Sequence, residues 1–144
     1  MRPELRIPEH RPKHTLMALA YGGILLAWLT PEDATVIVVS FLGAGLSLVV
    51  VCLALLRWAG GYTLTAGQWL PGMIIIGGVI GFGAVWWTIG LMIFKNAWHS
   101  HAFPDFPGVV IVGIGRRVIP WTTAGALIGG GVGLLRLALI SSFS

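Results

Sequence analysis

The chain has 144 residues, 56% of them hydrophobic and only 10% charged, with a formal net charge of +4 from nine Lys/Arg against five Asp/Glu. The mean hydropathy is +0.89, and a soluble domain carries roughly 25% charged residues, so a soluble enzyme or a soluble nucleic-acid binder is excluded. The basic excess points to membrane topology and anionic lipid as what the charge meets.

Residues 1–14 read as a basic cytoplasmic tail with Arg2, Arg6, Arg11 and Lys13. The first apolar segment, residues 15–29, is short for the ~20 residues a span needs, so Lys13 and His14 snorkel at its start. No small-x-small cleavage site follows Trp28, and the segment reads as a retained helix rather than a signal peptide. Pro31, Glu32 and Asp33 then form a helix-start signal. A second span over residues 34–56 follows. Cys52, the only cysteine, reads as a packing residue within it.

The third span is expected at residues 71–94 and the fourth at 120–140, each opened by a proline. The expectation is an all-α membrane protein, a single domain of four transmembrane helices. Residues 95–119 form an interfacial segment that includes a short helix before the last span. The alternative is that the last helix starts near Gly108 and kinks at Pro120.

Trp28, Trp58, Trp69, Trp98 and Trp121 mark the helix ends, as indoles at headgroup level do. Trp86 and Trp87 fall inside the third span instead. The bland reading is that they fill space beside glycines; the sharper one is contact with a quinone, a lipid tail or a partner's pigment. With four spans, six basic residues lie on the tail side and three (Lys95, Arg116 and Arg117) on the other. Both termini are therefore expected in the cytoplasm.

Small residues at four-residue spacing let helix backbones approach closely. Gly125, Gly129 and Gly133 form such a face on the fourth helix, with Gly130 and Gly131 beside it. Gly77 and Gly81 do so on the third. Ser40, Gly43, Ala44 and Ser47 serve on the second, and Ala18 and Gly22 on the first. The fourth-helix face is expected to dock another membrane subunit.

The chain lacks any acid between Asp33 and Asp105. Its one polar constellation follows the third span: Lys95, Asn96, His99 and His101, then Phe103-Pro104-Asp105-Phe106-Pro107. The helix is expected to end near His101. The leading reading is an interfacial anchor with a proline-capped turn. Next comes a quinone or anionic-lipid headgroup site using Lys95, His99, Arg116 and Arg117. A metal site on His99, His101 and Asp105 lacks a fourth ligand, and a haem or chlorophyll site lacks a second histidine in a span.

The stretch Lys95-x-x-x-His99-x-His101-x-Phe103-Pro104-Asp105-Phe106-Pro107 resembles one in small, uncharacterised polytopic membrane proteins of bacteria, phototrophs among them. The resemblance implies a bacterial inner-membrane setting and a bioenergetic context, and it brings no activity or site residue.

The spans offer neither the protected acid, base or nucleophile of an enzyme nor the ionisable groups of an ion-coupled transporter. The expectation is a non-catalytic accessory subunit of a larger membrane complex, respiratory or photosynthetic, in contact with lipids and other integral subunits. No cofactor of its own is expected, only contact with a quinone, lipid or a partner's pigment or haem. The competing expectation is a small membrane binding protein or transporter. Its site would lie at the end of the third helix, with Trp86, Trp87, Lys95, His99 and His101 around it.

Overall fold

The computed structural model describes residues 5–31, 35–99 and 104–142. The element order is β1 (Leu5–Arg6), α1 (Pro12–Leu29), α2 (Val36–Trp58), β2 (Thr63–Leu64), α3 (Ala66–His99), α4 (Gly108–Gly115) and α5 (Val118–Ser141). Three of these helices, α2, α3 and α5, are long and apolar enough to cross a membrane. The fourth expected span corresponds to α1, 18 residues that include Pro12, Lys13 and His14 in the first turn.

Each helix start has a local cause. Pro12 fixes φ at the first position of α1, and His14 Nδ1 accepts the Arg11 N–H at 3.0 Å. At α3, Gln68 Oε1 accepts the Thr65 N–H at 3.2 Å, and the Gln68 N–H donates to the Thr65 carbonyl at 3.0 Å. This Thr-x-x-Gln cap starts the helix at Ala66, so Pro71 lies inside it and does not open it.

α3 is the central element, 34 residues long, with α2 packed on one side and α5 on another, both antiparallel to it. At the α3–α5 crossing, a Cβ added to Gly129 would lie 3.1 Å from the Gly77 Cα and closer still to the Met73 carbonyl oxygen. One added to Gly125 would strike the Gly77 carbonyl, and one at Gly81 the Trp121 carbonyl. A Cβ added to Gly133 would lie 3.1 Å from the Met73 Cβ. The Gly125–Gly129–Gly133 face, expected to dock another subunit, is packed against Gly77, Gly81 and Met73 of the same chain.

At the α2–α3 crossing, Gly43 abuts Thr88, and Ser47 Oγ donates to the Ile80 carbonyl at 2.8 Å. α1 runs antiparallel to α2, where Tyr21 OH donates to the Leu42 carbonyl at 2.5 Å. A Cβ added to Gly22, expected to pack, would meet nothing within 4 Å outside its own helix backbone.

The two ends of the bundle are closed differently. At one, β1 pairs antiparallel with β2, Leu5 opposite Leu64 and Arg6 opposite Thr63. The tail is thus partly a strand, with Leu5 and Ile7 buried beneath it. Gly61, at φ 88°, makes the turn that presents its N–H to the Ile7 carbonyl at 3.0 Å. At the other end, Phe106 and Ile114 complete an apolar cluster with Val39, Val85 and Met92.

The short helix expected before the last span is α4. The chain breaks at Arg116–Arg117 and not at Pro120, which sits in the first turn of α5, where a missing N–H costs nothing. Of the tryptophans expected at the interface, Trp58 and Trp98 are exposed. Trp69 is buried, and Trp28 and Trp121 pack against the apolar cluster.

Candidate functional site

The last turns of α3 gather the polar residues singled out in the sequence. Lys95, Asn96 and His99 lie within two turns; Asn96 and His99, three apart, both meet the turn at Asp105 and Phe106, while Lys95 reaches Trp28 of α1. Lys95 is completely buried. Its Nζ donates to the Trp28 carbonyl at 3.4 Å and sits 4.3 Å from the Trp28 ring centroid. The last carbonyls of a helix are unsatisfied and carry partial negative charge. Lys95 therefore caps α1 from a different helix and adds a cation–π contact.

Asn96 holds the turn that follows. Its Nδ2 donates to the Phe106 carbonyl at 2.8 Å, and its Oδ1 accepts the Phe106 N–H at 2.8 Å. One amide side chain thus satisfies both backbone groups of a buried phenylalanine. His99 Nδ1 and Asp105 Oδ2 lie 2.6 Å apart, and both side chains are nearly buried. A carboxylate that orients an imidazole in this way is a familiar half of a catalytic or metal-binding arrangement.

Among the described residues no group of three or more His, Cys, Asp or Glu could hold a metal ion. His101 lies outside the described residues. Of the residues expected to contact a cofactor, Lys95 is turned to Trp28 and His99 to Asp105. Asn96, which the sequence reading gave no particular role, is the clamp. Trp86 and Trp87 lie elsewhere, exposed on the outside of α3. Trp87 lies beside Gly83, where an added Cβ would be 3.8 Å from its Cδ1. Trp86 pairs with Phe82 at 6.1 Å, and Phe94 with Trp98 at 6.1 Å. The residues Phe82, Trp86, Phe94 and Trp98 follow one four-residue ridge, interrupted by Gly90, which has no neighbour within 4 Å.

A second feature was not foreseen from the sequence. α2 and α5 both pack on α3 and leave an apolar groove of about 720 Å³ between them. Leu48 and Leu55 of α2 face Ile128 and Val132 of α5 across a floor that includes Gly77 and Gly81. The glycines that draw α5 onto α3 also make that floor smooth. Only the tertiary crossing creates it, so no local sequence signal marks it.

The chain matches no protein-family model, no curated protein and no solved structure.

Proposed function

We propose that this chain is a non-catalytic structural subunit of a larger assembly in a bacterial inner membrane, built on four spans. The observation that carries this reading is the use made of its polar side chains. Lys95 caps α1, Asn96 clamps Phe106, and His99 holds Asp105. Within the helices, Thr88, Thr122 and Ser40 donate to carbonyls of their own helix. The chemistry-bearing groups are spent on holding the chain together, while the outside is apolar on every helix. Such an exterior fits lipid and other membrane subunits.

The fourth span is α1. One end lies at Lys95, the other leads into the β1–β2 ribbon, so it bridges both ends of the bundle. Its 18 residues cover ~27 Å at 1.5 Å per residue, with Lys13 snorkelling. The tail, the α2–α3 connection and the C-terminus then share a side, which the basic residues assign to the cytoplasm. Burial of Lys95 strengthens this assignment, because it leaves only Arg116 and Arg117 exposed to headgroups opposite.

The aromatic ridge on α3 favours an electron-transfer partner, respiratory or photosynthetic. Phe82, Trp86, Phe94 and Trp98, with Trp87 beside them, offer flat apolar surface to a quinone or to a partner's pigment or haem. This replaces the α5 glycine face as the partner-facing surface. The test is purification from the native membrane in mild detergent. Comigration with an electron-transfer complex, lost in a Trp86→Ala/Trp87→Ala variant and with all colour in the partner, is expected. A free monomer carrying its own absorbance bands, or one that transports a solute, would sink the proposal.

A further inference from the structure

We propose that the groove between α2 and α5 holds an acyl chain of an anionic phospholipid, with the lipid phosphate bound by Arg136 at the ribbon end. The groove's about 720 Å³ falls within the ~300–1,000 Å³ of small-ligand pockets. Its lining is almost wholly apolar, so hydrocarbon is the ligand chemistry it takes.

Both helices lead from the groove to the same charged spot. Ile128 and Val132 line it from α5. The next four-residue step along that face is Arg136, ~6 Å further on. Met73 lines it from α3, and four residues before Met73 is Trp69. The two lines meet, since Arg136 Cζ lies 5.1 Å from the Trp69 ring centroid. A smaller apolar pocket has Leu55, Met73 and Ile76 in common with the groove and continues it to Trp69. Trp69 is buried, and its Nε1–H has no hydrogen-bond partner among the described residues. A guanidinium and an indole N–H beside a hydrocarbon groove are donors matched to a phosphodiester above an acyl chain.

Charge decides the occupant. Among the described residues the carboxylates are Glu9 and Asp105, and these are bonded to Arg6 and His99. Neither neutralises Arg136. A second copy of the chain seated in the groove cannot do so from a span either. All five acids lie at positions 4, 9, 32, 33 and 105, outside every span. An anionic lipid brings the missing charge, and the ribbon end is the strongly basic one, with Arg6, Arg11, Lys13 and Arg57 around it.

The test reconstitutes the full chain in nanodiscs of equal parts phosphatidylglycerol and phosphatidylcholine and weighs the released protein by native mass spectrometry. One phosphatidylglycerol retained per chain, preferred at least tenfold over phosphatidylcholine, is expected. Arg136→Gln abolishes the preference, Arg136→Lys keeps most of it, and Arg116→Gln at the opposite end leaves it unchanged. Ala124→Trp, which fills the groove, removes bound lipid of both kinds. Equal retention of the two lipids, a preference that survives Arg136→Gln, or a dimer that Ala124→Trp breaks without loss of lipid would each overturn the proposal. If Arg136→Gln does not fold, the lysine and groove-filling variants still decide.

Discussion

Lys95, Asn96 and His99 show how much a buried polar side chain can organise when it is fully partnered. The apolar cluster at this end depends on Phe106, whose backbone arrives on a turn and not on a helix or strand. Its N–H and carbonyl have no ladder to join, so Asn96 supplies both partners. Each orphaned buried group costs ~1–3 kcal/mol. Asn96→Ala is therefore expected to destabilise by about 2–4 kcal/mol, with two groups left unsatisfied. Asn96→Asp retains the acceptor and should lose less. Unfolding of both variants in one detergent checks this, and a change below about 0.5 kcal/mol for the alanine would refute the clamp. The residue types and spacing were legible in the sequence, and so was the proline-bounded turn. The partners were not, because Trp28 and Phe106 reach α3 only through the fold.

Among the elements, the spacing of the glycines of α3 and α5 reads as close packing. Small-residue spacing reports that a backbone comes near; it carries no information on which backbone. Here Gly77 and Gly81 meet Gly125 and Gly129 within one chain. Gly129→Leu should therefore separate α3 from α5, at well above the ~1–3 kcal/mol typical of overpacking, because the obstacle is backbone. Gly131, beside it in sequence, has nothing within 4 Å. Gly131→Ala should be neutral or stabilising by up to ~1 kcal/mol, the helix-propensity difference. Thermal unfolding of the two variants makes the comparison, and equal destabilisation would show that the α3–α5 crossing is wrong. The α3 start carries a similar lesson. Thr65 and Gln68 are a readable cap, and weight given to Pro71 as the opening residue hid it.

For the whole molecule, the proposed crossing by α1 can be tested from the ribbon it leads into. Leu5–Arg6 reaches Thr63–Leu64 only if the tail lies on the side of the α2–α3 connection. Cysteines introduced by Arg6→Cys and Thr63→Cys in a Cys52→Ala background should therefore cross-link on mild oxidation in membranes. An α1 that lies flat on the opposite face would keep the two cysteines apart and give no product. Arg57, in the last turn of α2, and Arg136, over the Trp69 ring, lie at the same end of the bundle as the ribbon.

The sequence by itself determined that the chain lives in a bilayer, because composition and long apolar runs are sums over residues and need no geometry. It determined the helix class and the close approach at Gly77, Gly81, Gly125 and Gly129, all local properties. It determined that no carboxylate lies in a span, since that is a matter of counting. The tertiary structure decided the rest. The histidine–aspartate pair, the buried lysine and the smooth glycine face all acquire meaning only from what stands opposite them. The acid-free stretch between Asp33 and Asp105 has a second consequence in three dimensions: Arg136 has no acid to meet within any span of its own kind.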